Sequence, residues 1–265
     1  MKTGLITGVV VLSAALAVAA LAQTAPPSGY LAAASMPDAT KILPAPPPVE
    51  SGRGADDRSI FVATRSLLNG PRGALATSDA NLVGAAMYAC ALGAQVDARS
   101  APALNALLFR AAMDEGRIIN PPKNHYNRQR PYLVVPVNGG PVGAAPICVP
   151  KTEGLAKNGS YPSGHSALSW TWGLILADLA PDRATQVLAR ARSIGESRVV
   201  CGVHYASDIE AGRTTGAALF AALQSSPDFR ADLERARIEL AALRKTAPAP
   251  ANCAVQDEAA AHSPY

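Results

Sequence analysis

Aromatic residues are scarce in this sequence, since phenylalanine, tyrosine and tryptophan together make up 5% of its 265 residues. Scarce aromatics and abundant alanine favour close packing of helices over a sandwich of aromatic-rich strands. The formal net charge is only +4, which argues against a nucleic-acid-binding protein, because such proteins carry a basic stripe. Because 49% of the residues are hydrophobic, the chain has enough apolar side chains to bury a core.

Cysteine is also rare, and no two cysteines form a C-x-x-C pair. The absence of such a pair argues against a zinc site or a dithiol redox site. In an exported protein, an even number of cysteines favours disulfide bonds. The four positions allow three different pairings, and the spacing alone does not choose among them: Cys90, Cys148, Cys201 and Cys253.

A long uncharged hydrophobic run occurs only at the N-terminus, from Gly4 to Ala22. Lys2 precedes it, and Ala20 and Ala22 provide the small residues of an A-x-A cleavage site. This pattern predicts a cleaved signal peptide over residues 1–22, with a retained membrane anchor as the alternative. No later stretch reaches the roughly 18 apolar residues of a membrane span. We therefore expect an exported protein without stable membrane insertion.

The remaining chain predicts one all-α domain. Residues 23–54 are rich in proline and predict an extended arm, residues 55–245 form the helical domain, and residues 246–265 form a low-complexity tail. Apolar periodicity predicts the following helices: Asp56 to Asn69, Ser78 to Leu92, a helix opening at Pro102, Gly164 to Leu179, Asp182 to Val200, Ser207 to Leu223 and Ser226 to Leu243. Pro121 and Pro122 predict a break in the third helix, and residues 131–162 predict a loop.

Three of the four histidines lie in polar clusters. The first cluster is a basic run that contains His125 together with Lys123, Arg128 and Arg130. A solvated basic loop is the alternative interpretation of this run. The remaining histidine, His262, lies in the predicted tail and receives no role.

The second cluster runs from Gly159 to Ser166 and leads into the apolar helix predicted from Gly164. A helix N-terminus carries unpaired N–H groups and the positive end of the helix dipole, which together favour a bound anion. His165 would lie in the first turn of this helix, where it would exchange a proton with the anion. The alternative is a serine cap beside an incidental histidine.

The third cluster contains Arg198, His204 and Asp208. Arg198 falls seven residues after Ala191, on the apolar face of its predicted helix, and a buried arginine is costly unless it meets an anion. The spacing of His204 and Asp208 lets the carboxylate accept a hydrogen bond from Nδ1, which leaves Nε2 free as a nucleophile or base. A surface pair and two metal ligands are the alternatives, although further ligands at metal spacing are missing. The three clusters together indicate phosphoryl transfer.

In chain order these clusters resemble the three-part signature of the phosphatidic-acid-phosphatase/vanadium-haloperoxidase superfamily. The pattern is Lys, six residues, Arg-Pro; then Pro-Ser-Gly-His; then Ser-Arg, five residues, His, three residues, Asp. The sequences around His165 and His204 are similar to those of bacterial class A non-specific acid phosphatases. The resemblance implies an all-α, single-domain helical bundle, with the site at the ends of the core helices.

The resemblance also implies a role for each matching residue. His204 would be the nucleophile that forms a phosphohistidine, Asp208 would orient it, and His165 would protonate the leaving alcohol and then activate water. The residues expected to hold the phosphate are Lys123, Arg130, Ser163, Gly164 and Arg198. No metal or other cofactor is expected.

The same resemblance implies a disulfide between Cys148 and Cys201, and with it a second pair, Cys90 with Cys253. It further implies small phosphate monoesters as substrates and a homodimer. The signal peptide predicts a periplasmic location in a Gram-negative host. A vanadium haloperoxidase is an alternative, because vanadate imitates the phosphoryl transition state and would bind the same residues. Transfer of phosphate to acceptor alcohols is a further alternative activity.

Overall fold

The computed structural model describes residues 28–265, and every regular element in this range is helical, as predicted. The α-helices are α1 (Ala39–Ile42), α2 (Gly52–Thr64), α3 (Pro71–Ser78), α4 (Ala89–Leu92), α5 (Pro102–Tyr126), α6 (Pro131–Val134), α7 (Glu153–Lys157), α8 (Gly164–Leu179), α9 (Ala184–Val200), α10 (Ala206–Leu223), α11 (Pro227–Thr246) and α12 (Ala254–Ala261). Four short 3₁₀ turns connect some of them. The bounds of α8 agree with those predicted, and the bounds of α9, α10 and α11 agree to within three residues.

Helix α8 is the centre of the bundle, with α9 and α10 packed closely against it and α5 beyond. It is apolar on almost every side, as expected of a helix that is buried all round. Two glycines allow the close packing. A Cβ atom at Gly173 would lie 2.5 Å from the Cβ of Ala191, and one at Gly216 would lie 2.4 Å from the carbonyl oxygen of Ala167. A larger residue at either glycine would push α9 or α10 away from α8.

The predicted break at Pro121 and Pro122 is wrong, because α5 continues through both prolines to Tyr126. The two prolines remove hydrogen-bond donors only near the end of a 25-residue helix. Ile118, Ile119 and Pro122 are buried, so packing holds the helix together where propensity would end it. As a result, Lys123 lies on the last turns of a rigid helix instead of in a loop.

The segment between residues 70 and 93 also differs from the prediction. The sequence predicted only that the preceding helix ends before Gly70 and Pro71. In the structure a further helix, α3, begins at Pro71, because proline is well suited to the first position of a helix. The helix predicted from Ser78 is instead a loop, a 3₁₀ turn over Gly84–Tyr88 and the four residues of α4. The loop forms because Asp79 is held by side chains of α9, as described below.

Both flanking segments pack against the bundle. The N–H groups of Tyr30 and Leu31 donate to the carboxylate of Asp114 on α5, at 2.5 Å and 3.3 Å. The predicted C-terminal tail contains α12, which packs against α9 and α3. The predicted signal peptide, residues 1–22, lies outside the described residues. Within residues 28–265, no helix is both long and apolar enough to cross a membrane.

Two disulfides are present, Cys90–Cys253 and Cys148–Cys201, and these are the pairs that the resemblance implies. Cys90–Cys253 joins α4 to the residue that precedes α12. Cys148–Cys201 joins the loop after α6 to the C-terminal end of α9. Around it lies a small second core of Phe61, Ala76, Tyr132, Val135, Val200, Val203 and Tyr205, among others. This second core supports the turn that carries His204.

Candidate active site

The ends of several helices bring the predicted site residues together. Lys123 lies near the end of α5, Arg198 near the end of α9, and Asp208 in the first turn of α10. Gly164 and His165 begin α8, with Ser163 as the residue that caps it. His204 lies in the turn between α9 and α10, and Arg130 lies just before α6. His125 is apart from the site: it is exposed and packs edge-on against the ring of Tyr126.

The imidazole of His204 is fixed by a hydrogen-bond partner on each nitrogen. Its Nδ1 lies 3.3 Å from Oδ2 of Asp208, and its Nε2 lies 3.2 Å from Nη1 of Arg130. A guanidinium group only donates hydrogen bonds, so Nε2 is the acceptor and Nδ1 carries the proton. Asp208 is itself held, because the backbone N–H of Tyr205 donates to the same Oδ2 at 2.9 Å. A lone pair on Nε2 is therefore directed toward the cationic groups.

Arg130 is held in place by backbone carbonyls. Its Nε donates to the carbonyl oxygens of Leu155 at 2.9 Å and Asn158 at 3.0 Å, and its Nη1 donates to that of Val203 at 2.8 Å. None of these partners carries a full negative charge, so the charge of this buried arginine is not neutralised by them. Lys123 is similar, because its ammonium group donates to the carbonyl of Gly159 at 2.7 Å.

Arg198 is the least satisfied cation of the site. Its residue is only 4% exposed, and neither Nε nor Nη1 has a hydrogen-bond partner. Burial, and then the neighbouring charge of Arg130, lower the pKa of Arg198 to about 10. A buried guanidinium with unused donors is costly unless an anion completes it. The sequence spacing predicted that Arg198 lies on a buried face of its helix. In the structure Arg198 is buried there, and two of its nitrogen atoms have no hydrogen-bond partner.

The N-terminus of α8 provides neutral donors beside these cations. Ser163 caps the helix, and its Oγ accepts from the N–H of Ser166 at 3.3 Å. The N–H groups of Gly164 and His165 occupy the first two helical positions and have no acceptor within the helix. Gly164 also lies close to Lys123, whose Cε would be 3.9 Å from a Cβ at that position. These N–H groups are therefore placed to bind the anion that the cations attract.

His165 is held by a carbonyl oxygen in the loop between α3 and α4. Its Nε2 lies 3.1 Å from the carbonyl oxygen of Ala80, which can only accept, so Nε2 carries a proton and Nδ1 is free to gain one. The loop is fixed by Asp79, which forms a buried ion pair with Arg190 and accepts from Ser197 Oγ at 2.6 Å. The position of His165 thus depends on a loop that no sequence pattern identified.

Burial and the neighbouring cations favour the neutral form of both histidines. Burial, and then the charge of Arg198, lower the pKa of His165 to about 3. Burial, and then the charge of Arg130, hold the pKa of His204 well below its usual range. A phosphate bound among these cations would oppose both effects and would raise the pKa of either histidine. Binding of the anion would therefore favour the protonated form of His165, which can act as a proton donor.

A charge network behind Asp208 was missed in the sequence. Arg128 donates from Nη1 to Oδ1 of Asp208 at 2.6 Å and from Nη2 to Oδ2 of Asp57 at 2.8 Å. Asp57 on α2 in turn accepts from the backbone N–H of Ser207 at 3.0 Å. Arg128 was visible in the basic cluster as a charge two residues before Arg130. The sequence could not link Asp57 to this network, because 150 residues separate it from Ser207.

Replacing Arg128 with glutamine should lower kcat by about 100-fold and leave KM little changed, since a displacement of about 1 Å at the reacting group can cost that much. The reason is that Arg128 fixes Asp208, and through it His204. Steady-state kinetics on a phosphate ester measure the effect. Arg53→Gln is the matched control, because Arg53 forms an exposed ion pair with Glu210. A raised KM with an unchanged kcat would contradict the positioning role.

Within the described part of the chain, no group of three or more histidine, cysteine, aspartate or glutamate side chains is placed to hold a metal ion. The cationic pocket would itself repel one.

Comparison with known proteins gives consistent matches. A profile of the PAP2 superfamily matches residues 102–231, which include every predicted catalytic and phosphate-binding residue. The chain is 43% identical over 211 residues to an acid phosphatase of Zymomonas mobilis, across 78% of this chain and 77% of the relative. It is 33% identical to a non-specific acid phosphatase of Providencia stuartii, across 84% and 88%. A non-specific acid phosphatase of Salmonella typhimurium is 32% identical, across 75% and 78%.

Proposed function

Because the chain belongs to the PAP2 superfamily and, within it, to the non-specific acid phosphatases, we propose that it is an exported enzyme that hydrolyses a broad range of phosphate monoesters. We further propose that the reaction passes through a phosphohistidine at His204 and uses no metal ion. The observation that carries the mechanism is the buried Arg198, with two unused donors, in a pocket that also holds two neutral histidines.

In the first step the phosphate group of the ester lies among Lys123, Arg130 and Arg198 and against the N-terminus of α8. The lone pair of His204 Nε2 attacks phosphorus, and a nitrogen–phosphorus bond forms as the phosphorus–oxygen bond to the alcohol breaks. His165, charged in the presence of the anion, gives its proton to the departing oxygen. Asp208 stabilises the positive charge that develops on His204.

In the second step a water molecule replaces the alcohol. Neutral His165 takes a proton from this water as its oxygen attacks phosphorus, and the nitrogen–phosphorus bond breaks. Inorganic phosphate leaves, and His204 regains its lone pair. An acceptor alcohol in place of water would give phosphate transfer, so hydrolysis and transfer share the same intermediate. Lys123, Arg130 and Arg198 neutralise the charge of the phosphoryl group throughout both steps.

Export is supported by the signal-peptide pattern over residues 1–22 and by two disulfides, which form and persist in oxidising compartments. The relatives are bacterial, so the compartment we propose is the periplasm. Assembly as a homodimer remains a prediction that sedimentation of the purified protein would test.

The direct test is release of phosphate from p-nitrophenyl phosphate at mildly acidic pH in the presence of a chelator. We expect the same rate with and without the chelator, because the proposed steps use side chains alone and leave no metal ion for the chelator to remove. A loss of activity that added metal restores would contradict the metal-free mechanism. No turnover at all would favour the vanadate enzyme, and bromide oxidation by peroxide after addition of vanadate would then identify it.

A further inference from the structure

One buried acid faces the phosphate pocket without a role in the mechanism described above. Glu115 on α5 is 8% exposed, and its Oε1 has no hydrogen-bond partner. A Cβ atom at Gly164 would lie 3.4 Å from this Oε1. The carboxyl group therefore lies against the residue whose N–H is proposed to bind phosphate.

The position of Glu115 along α5 explains this placement. Ile119 and Lys123 follow it at intervals of four residues, and side-chain atoms of all three lie within 4.0 Å of a Cβ at Gly164. The three side chains thus form one stripe of α5 that faces the start of α8. The same face continues the buried positions Leu104, Leu108 and Ala111. An acid on an otherwise buried face is costly unless it has a partner.

We propose that Glu115 binds the substrate: its protonated carboxyl group donates a hydrogen bond to a phosphate oxygen, whereas its ionised form repels the phosphate. Ionisation of this residue would then weaken phosphate binding at alkaline pH. The inference rests on the proposed function, because it assigns a further ligand to the same phosphate site.

The protonation state agrees with this role. Burial raises the pKa of Glu115 to about 8, against the opposing effect of the charge on Lys123. The carboxyl group is therefore neutral across the acidic range and can donate. Lys123 on the same helix is the charged group that acts on Glu115. The other charged and titratable groups of the phosphate site are His165 on α8, Arg198 on α9, His204 before α10, Asp208 on α10 and Arg130 before α6.

Any test must distinguish the effect of titrating Lys123 from the effect of titrating Glu115. Burial, and then the charge of Arg130, lower the pKa of Lys123 to about 8 as well. Loss of its proton would also weaken phosphate binding at alkaline pH. Lys123→Arg removes this titration and keeps the positive charge, because a guanidinium group stays protonated throughout the range. In that background Glu115→Gln isolates the contribution of the carboxyl group.

The experiment is calorimetric titration of inorganic phosphate into four proteins: the wild type, E115Q, K123R and the double variant. In K123R we expect phosphate affinity to fall about tenfold from about pH 7 to about pH 9, as a group with a pKa near 8 ionises. In the double variant the affinity should stay level over the same range. Glu234→Gln, an exposed acid on α11, is the control for net charge and should match the wild type.

If phosphate affinity fell equally with rising pH in K123R and in the double variant, the inference would be overturned. A second measurement avoids variants: addition of phosphate to the wild type near pH 8 should increase the infrared band of a protonated carboxyl group, since ordinary acids ionise near about pH 4. A band that is unchanged or reduced would also overturn it. Phosphate binding needs no turnover, so a protein that shows this dependence and hydrolyses no monoester would contradict only the proposed function.

Discussion

Replacing His204 with alanine is expected to abolish phosphate release, with a fall in kcat on the order of 10⁴- to 10⁶-fold, as when other enzymes lose a nucleophile. The imidazole is held between Asp208 and Arg130 with Nε2 unprotonated, and no other described nucleophile occupies that position. Stopped-flow measurement of p-nitrophenol release checks the prediction, because it detects a single turnover as well as the steady state.

The matched control for this variant is His125→Ala. His125 is exposed and lies outside the site, so this variant should keep wild-type kinetics. A burst of leaving group from His204→Ala, equal in amount to the enzyme, would contradict the role of His204. A loss of activity in both variants would point to a general effect of removing an imidazole.

Replacing His165 with alanine should slow hydrolysis by an amount that depends on the leaving group. Alkyl phosphates need a proton on the departing oxygen, so their kcat should fall by about 10²- to 10⁴-fold, the usual contribution of a general acid. p-Nitrophenolate leaves without a proton, so its release should fall far less. The measurement is a plot of rate against leaving-group pKa, which should steepen in the variant.

The same plot would also show a result that contradicts proton donation by His165. Equal losses for alkyl and aryl esters would mean that His165 acts as a phosphate ligand or as the base for water, and not as an acid. A change that misplaces the nucleophile would behave differently: Arg128→Gln, which removes a hydrogen bond that holds Asp208 and through it His204, should slow all esters alike. The contrast between these two variants separates proton donation from placement.

The proposed catalytic residues were largely visible in the sequence because they are side chains at fixed spacings. Arg198 lies seven residues after Ala191, on the same apolar face of its helix, and His204 and Asp208 are four residues apart. The structure places these side chains together at the ends of α8, α9 and α10. The bounds predicted for α8 and α11 are close to those observed, since the side chains of Ser163 and Ser226 cap these two helices.

Other parts of the site had no local signal. The carbonyl oxygen of Ala80 binds His165 through the backbone, so the identity of the side chain says nothing about it. Asp57 reaches Arg128 from a helix 71 residues earlier in the chain. Glu115 is visible in the sequence as an acid on the apolar face of α5. Its place beside the phosphate site, however, depends on the packing of α5 against α8. Tertiary packing likewise carried α5 through Pro121 and Pro122, against local propensity.

The central claim is transfer of phosphate to His204, and trapping the phosphorylated enzyme tests it most directly. The wild type would be mixed with substrate, quenched within one turnover in alkaline denaturant, which preserves phosphohistidine, and mapped by peptide mass spectrometry. The account predicts phosphate on the peptide that contains His204, at that residue, and its absence from the His204→Ala variant. Phosphate on another residue, or on none while the wild type turns over, would contradict the account.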